Sequence, residues 1–244
     1  MRPTAVALIL AALAAGRAAA DGPCAELDGA RTCFAEPTDR YAHGVLGDAI
    51  EWGALTLTLP DGRSAAVTLP ENRVFEDVEP RLADLNGAGP PEIIVVESSF
   101  DGGASLSIYH FERGALRPYA RTPHIGRPNR WLAPAGIADL NGDGQLDIAY
   151  VETPHLAGVL RVWGFEPGGL TEIAAARGLS NHRIGEDFIS GGIRTCDRGP
   201  EIVTADLAWT RILASRVENG SIVARDLGPG VGAEDFDAAM ACRR

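Results

Sequence analysis

The sequence predicts an all-β fold. Three observations carry that expectation: short β-branched and apolar runs recur at regular intervals, turn residues bound them, and no long amphipathic helix intervenes. The motif Leu82-Ala83-Asp84-Leu85-Asn86-Gly87 returns as Ile137-Ala138-Asp139-Leu140-Asn141-Gly142, a spacing of 139 − 84 = 55. Gly136-Ile137 returns as Gly192-Ile193, a spacing of 192 − 136 = 56. A strand-like run follows each anchor, at residues 92–97, 147–152 and 201–206. A second run comes next, at 104–111, 159–165 and 212–217, then a turn at Arg113-Gly114, Gly168-Gly169 or Asn219-Gly220, and a last short strand.

Taken in chain order, the elements begin with a secretory signal over residues 1–20. Arg2 gives a positive start, 5–15 is apolar, and Ala18-Ala19-Ala20 supplies a small-residue cleavage site. The apolar stretch is short for a membrane span, and no later segment is long enough for one. The expected product is exported, periplasmic or secreted. Loss of Arg2 and Arg17 changes the formal charge from −11 to −11 − 2 = −13. Such an acidic chain lacks the positive footprint that nucleic acid or an anionic membrane surface requires.

Residues 21–40 form a Cys-containing segment ahead of the repeats. An exported chain with four cysteines predicts two disulfides, for which three connectivities exist. The preferred pairs are Cys24–Cys33, closing a short loop, and Cys196–Cys242, tying the chain end onto an earlier repeat.

Residues 41–244 hold the repeated units. The runs 54–59 and 64–69 flank Pro60-Asp61-Gly62-Arg63 and read as a hairpin, the outer half of a further unit whose inner strands are expected from 43–51. A single four-stranded unit cannot bury both of its faces, whereas sheets packed radially can, so the expected architecture is a small β-propeller of about four four-stranded blades. Five short blades are the alternative count. A sandwich of two antiparallel sheets is the alternative fold.

Within the third unit, DLNGDGQLD at residues 139–147 concentrates oxygen ligands. Asp139, Asn141 and Asp143 stand at alternate positions, Gln145 offers its backbone carbonyl, Asp147 binds directly or through water, and Gly144 permits the sharp turn. That donor set suits Ca²⁺. An EF-hand would need a bidentate Glu at the twelfth position, which is Tyr150, and the flanks read as strands. The residues Gly136-Ile137-Ala138-Asp139-Leu140-Asn141-Gly142-Asp143-Gly144 and Asp147-Ile148 resemble the calcium segment of FG-GAP/VCBS repeats, the blades of integrin-like propellers. The FG-GAP tetrapeptide itself is replaced by Ala135-Gly136-Ile137-Ala138.

The other units grade downward as metal loops. Asp84, Asn86 and Glu92 keep part of the pattern, but Ala88 replaces the third ligand, and weak binding or none is expected. Thr195-Cys196-Asp197-Arg198 keeps almost nothing. Three histidines, His43, His124 and His182, recur near unit ends and are expected to bond the backbone of neighbouring blades; convergence on the axis to hold a metal or substrate is the alternative. Trp131 precedes a strand as a candidate recognition aromatic, whereas Trp163 alternates as a core residue should.

The polar stretch Asn181-His182-Arg183-Ile184-Gly185-Glu186-Asp187 is the strongest enzyme candidate, against a plain reading as an inter-blade connection. No nucleophile elbow, Walker loop, HExxH or dinucleotide fingerprint appears, and no catalytic residue is assigned. The functional expectation is a calcium-braced, non-catalytic binding module with a protein or glycan ligand. The alternative is a hydrolase or lyase acting on an extracellular polymer.

Overall fold

The computed structural model describes residues 22–244, so the secretory signal expected over 1–20 lies outside the described residues. The chain is all-β with one short terminal helix. Most strands fall into four antiparallel meanders. The first comprises β1 (Cys24–Leu27), β2 (Ala30–Thr38), β3 (Glu51–Thr58) and β4 (Ser64–Thr68). A short β5 (Arg73–Phe75) follows.

The second meander is β6 (Arg81–Ala83), β7 (Glu92–Ser99), β8 (Gly103–Glu112) and β9 (Ala115–Arg121). Because β5 pairs with both β3 and β7, it joins the first two meanders into one sheet. The third is β10 (Leu132–Ala138), β11 (Asp147–Glu152), β12 (Val159–Glu166) and β13 (Gly169–Arg177). After β14 (Leu179–Ser180) comes the fourth, β15 (Gly192–Cys196), β16 (Gly199–Asp206), β17 (Arg211–Glu218) and β18 (Ser221–Pro229), with β14 also bonded to β16.

The two-residue side-chain period explains how the meanders stack. On β7, Ile93 and Val95 enter a core shared with Phe34, Leu55 and Leu57 of the first meander, while Ile94 and Val96 enter a core shared with Ile148 and Tyr150 of the third. On β11, Ala149 and Val151 face the opposite way, into a core with Ile202 of the fourth. Each second strand therefore glues two neighbours. This is why it reads as a continuous apolar run instead of an alternating one.

The last meander has no fifth sheet beyond it among the described residues. Val203, Ala205 and Ile212 turn to its far side, where helix α1 (Ala233–Met240) covers them with Phe236 and Ala239. Asp235 accepts the Gly232 N–H at 3.0 Å and so closes the first turn of α1. On the first meander, β4 exposes Ser64, Ala66 and Thr68 in alternation, a small and polar face that water can cover.

Two features differ from the sequence reading. Residues 41–50 form a loop and do not supply inner strands. Those strands are β1 and β2, within the Cys-containing segment, which pairs directly with β3. The loop is dictated by Gly44 and Gly47, whose φ values are +63° and +95°; a Cβ at Gly47 would lie 2.7 Å from the Gly185 carbonyl oxygen. Helix α1 is the second difference, since its eight residues, with Phe236 and Ala239 the buried ones, are too few to show a helical period.

Both expected disulfides are present. Cys24 and Cys33 are directly paired partners on β1 and β2. Cys196 at the end of β15 is joined to Cys242 just beyond α1.

Candidate functional site

The oxygen-rich segment connects β10 to β11, whose pairing closes at Ala138 opposite Asp147. Gly142 and Gly144 take φ of +82° and +87°, which lets the loop 139–146 coil on itself. Asp139 accepts three backbone N–H groups, from Gly142 at 2.7 Å, Asp143 at 3.1 Å and Gly144 at 3.0 Å. Asn141 accepts the Asp143 N–H at 2.9 Å through its side-chain oxygen and donates its amide to the Asp143 carboxylate at 2.9 Å. Asp143 in turn accepts the Gln145 N–H at 2.8 Å.

Asp147 is the buried member of the set. Only 1% exposed, it accepts the N–H groups of Leu140 at 2.9 Å and Asn141 at 3.1 Å. Burial pushes its pKa upward, the two N–H donors oppose that, and the charges of Asp143 and Asp139 add to the rise. Asp143 is held below its ordinary value, first by the Gln145 N–H and then by the Asn141 amide.

None of these three carboxylates has an ion-pair partner among the described residues. A carboxylate offers about four acceptor sites, so capacity remains after the backbone bonds. The donor chemistry fits a hard cation. As the side chains stand, no three His, Cys, Asp or Glu groups among the described residues converge as a metal cage.

The equivalent loop of the second meander, 84–91, is organised differently. Glu92, 1% exposed, accepts the Leu85 N–H at 2.9 Å and also the Asn86 amide, while Asn86 accepts the Ala88 N–H at 2.7 Å. Asn86 and Glu92 are thus engaged with each other, and Ala88 stands where the third meander has Asp143. In the fourth meander Cys196 pairs directly with Gly199, so Asp197 and Arg198 make a tight turn with no ligand loop at all.

The histidines are arranged otherwise than the repeat suggests. His124 donates through Nδ1 to the Gly103 carbonyl at 2.9 Å, within its own unit. His43 bonds a side chain: its Nδ1 lies 2.5 Å from the buried carboxylate of Glu76, whose other oxygen accepts the Ser98 hydroxyl. His182 bonds through Nε2 to the Glu186 carbonyl at 2.8 Å and through Nδ1 to His155 Nε2 at 2.9 Å. A carbonyl can only accept, so Nε2 of His182 carries the proton, Nδ1 is the acceptor, and His155 donates from Nε2.

Trp131, a candidate for recognition from its position, lies beside this pair and is buried, 2% exposed. Its indole N–H donates to the Glu76 carbonyl at 2.7 Å, its face stacks on His155 at 6.5 Å, and His182 meets it edge-on at 4.8 Å. Trp163 is 9% exposed and packs in the core, as its alternation predicts. His43, Trp131 and His155 line a cavity of about 150 Å³ with Leu156 and Ile184. Neither His155 nor Glu76 falls at a repeat position, so neither could be singled out from the sequence.

The polar stretch 181–187 is divided between local contacts, which join His182 and Arg183 to Glu186, and positions that face elsewhere. Asn181 is buried and donates to the Ala133 carbonyl at 3.1 Å, Arg183 pairs with Glu186 at 3.4 Å and lies over Trp209, and Asp187 lines a separate groove with Glu79 and Arg81.

Comparison with known proteins adds two findings. Residues 84–150 match the family model described as an FG-GAP-like repeat, a stretch that contains both oxygen-rich loops and ends in β11. No curated protein matches. Among solved structures, the crystal structure of the exotype rhamnogalacturonan lyase YesX is similar with a TM-score of 0.50 and 15% identity, over 85% of this chain and 47% of that one. The chain thus spans about half of that protein's length, and the likeness is one of fold.

Proposed function

Starting from a chain that carries an FG-GAP-like repeat, we propose an exported, four-bladed β-propeller that acts as a non-catalytic binding module, with Ca²⁺ bracing the 139–147 loop. Each meander is one blade in this reading, and α1 closes the exposed face of the last. The observation that carries the calcium assignment is the set Asp139, Asn141, Asp143 and Asp147 inside the matched repeat, three carboxylates with no cationic side chain to balance them. Gln145 contributes its carbonyl. The second loop, Asp84, Asn86 and Glu92, takes calcium weakly or not at all, because Asn86 and Glu92 satisfy each other.

Two disulfides support an oxidising compartment, periplasmic or extracellular, and no helix among the described residues is long and apolar enough to cross a membrane. Outside the cytosol, a site with a dissociation constant on the order of 10⁻⁴–10⁻³ M fills. The ligand of the module is a protein or glycan. His182 spends its ring N–H on the Glu186 carbonyl and the Glu186 carboxylate pairs with Arg183, local contacts that suit a connection between blades, while Asp187 lies in a separate groove; this favours binding over hydrolysis or elimination on a polymer.

Calorimetric titration with Ca²⁺ tests the brace: one site is expected, lost in Asp143→Ala. No heat and no thermal shift at 10 mM Ca²⁺, roughly ten times the weakest constant expected for such a site, would overturn it. Pull-down from the native exported fraction, with calcium and with EDTA, tests the module.

A further inference from the structure

Large apolar side chains collect on the turns at one end of the sheets. Leu156 is 56% exposed, Ile184 72% and Leu207 38%. They come from three stretches of chain: the loop between β11 and β12, the segment after β14, and the turn between β16 and β17. All three line one open groove of about 320 Å³, together with Pro154 and Trp209. Scattered singly, such residues carry no meaning; gathered round one groove, they mark a docking surface.

Backbone bonds hold these side chains out. The N–H groups of Leu156 and Gly158 both donate to the Thr153 carbonyl, at 2.9 and 3.0 Å. Ile184 sits in a turn closed from the Glu186 N–H to the Arg183 carbonyl at 3.1 Å, and the Gly185 N–H pins that turn to the Val45 carbonyl at 3.0 Å. The Leu207 N–H donates to the Gly178 carbonyl at 2.8 Å. A surface fixed before its ligand arrives loses little entropy on binding.

Arg183 supplies the charge. Its guanidinium carbon lies 4.0 Å over the Trp209 ring, which holds the group beside the aliphatic side chains. The one ion-pair partner of that guanidinium among the described residues is Glu186 at 3.4 Å, and five N–H donors leave capacity for a further acceptor. Among the described residues no carboxylate lines the groove, and the two histidines that do, His155 and His182, are kept neutral by burial. On a chain of net charge −11, the groove thus presents one positive group next to three aliphatic ones.

From this juxtaposition we infer that the groove docks a partner protein through an aliphatic side chain adjacent to a carboxylate, the first among Leu156, Ile184 and Leu207 and the second on Arg183. The inference rests on the binding-module reading and gives the chemistry of its protein ligand. A polysaccharide lacks the aliphatic side chain, and a basic segment would be repelled by Arg183.

The test measures binding of the labelled full chain to arrayed short peptides that carry Leu or Ile beside Asp or Glu in a Gly-Ser background. Binding is expected to these, about tenfold weaker when the acid becomes its amide or the aliphatic residue becomes Ser. Ile184→Ser and Leu207→Ser should each weaken it about tenfold or more, and Arg183→Gln should erase the preference for acid over amide. Val223→Ser, at an exposed apolar position on β18, and Asp143→Ala in the oxygen-rich loop should leave it unchanged. Circular dichroism checks that each variant is folded, and Leu156→Ser replaces any that is not. No preference for paired aliphatic and acidic residues, or affinity unaltered in both Ile184→Ser and Arg183→Gln, would overturn the assignment. Self-association of the chain that is lost in Ile184→Ser would give the groove to a second copy and overturn it as well. A partner pulled down equally by the unaltered protein and by Ile184→Ser leaves the binding-module reading standing and removes this groove; an empty pull-down beside a positive array does the reverse.

Discussion

Asp147 and Glu92 hold the same place in successive meanders: each is the first residue of its second strand and accepts, at 2.9 Å, the N–H of the leucine seven residues upstream. Both are 1% exposed. Both loops therefore have a buried carboxylate as their clasp, although the oxygen-bearing residues ahead of it differ, with Ala88 standing where the third meander has Asp143. Closing the loop is separable from the proposed binding of a cation within one motif.

That separation has a measurable consequence. In calcium-free buffer, Asp147→Ala leaves the Leu140 and Asn141 N–H groups without their acceptor and should cost about 1–3 kcal/mol in urea unfolding. Glu92→Ala should fall in the same range through Leu85. Asp143→Ala, at an exposed position, should leave calcium-free stability close to that of the unaltered chain.

Calcium should open a gap between the unaltered chain and Asp143→Ala. A ligand bound only by the folded state, present at ten times its dissociation constant, adds about 1.4 kcal/mol, or roughly 3–5 °C in melting temperature for a chain of this size. Differential scanning fluorimetry should show that rise for the unaltered protein and for Asp84→Ala. Asp139→Ala and Asp143→Ala should show none.

Two groups shifted by burial tie stability to pH in opposite senses. The folded pKa of His155 lies at about 4, depressed by burial, then by His182 and His43, so between there and its unfolded value near 6.5 the unfolded chain binds the extra proton. Its contribution is complete above that upper limit and is lost as pH falls toward 4. Glu51 behaves oppositely, for burial first, then Glu76, Asp48 and Asp77, push it up to about 9. Folding keeps its proton, and stability drains away as pH rises from about 4.5 toward 9. Between about 4.5 and 6.5 the two slopes oppose each other, so unfolding followed across pH 4–9 should show stability falling above about 6.5; His155→Gln should extend that fall down toward 4.5, and Glu51→Gln should remove it and leave only the loss below 6.5, with Glu51→Gln the more stable protein at pH 8.

Arg194 anchors the terminal helix. It is paired with Glu201 at 2.9 and 2.6 Å, both side chains 1% exposed, and it also donates to the Ala239 and Arg244 carbonyls. Arg194→Ala should cost about 3–5 kcal/mol and expose the segment after β18 to limited proteolysis. Replacing Arg194 and Glu201 together by Met should recover most of that loss, because no buried charge is then stranded.

Periodicity made the scaffold readable. The runs that became β7, β8, β11, β12, β16 and β17 are long and apolar, with the first of each pair spaced by 147 − 92 = 55 and 201 − 147 = 54 residues, and a segment buried on both faces has no other stable home than between sheets. The inner strands of the first meander escaped notice for the converse reason: β1 has four residues, β2 carries Glu36-Pro37, and neither shows an apolar run. The disulfides and the oxygen-rich loop were likewise legible, since their chemistry lies in residue type and local spacing.

The histidine cavity had no such signal. His43, Glu76, Trp131, His155 and His182 come from five separate stretches of chain, and only the curl of the meanders brings their loops together at one place. The sequence by itself determined the all-β repeat, the oxidised cysteine pairs and the donors of the loop, because those are local patterns of burial and ligand chemistry. The tertiary structure alone decided which imidazole nitrogens are committed and to what, because a tautomer is set by partners distant in the chain.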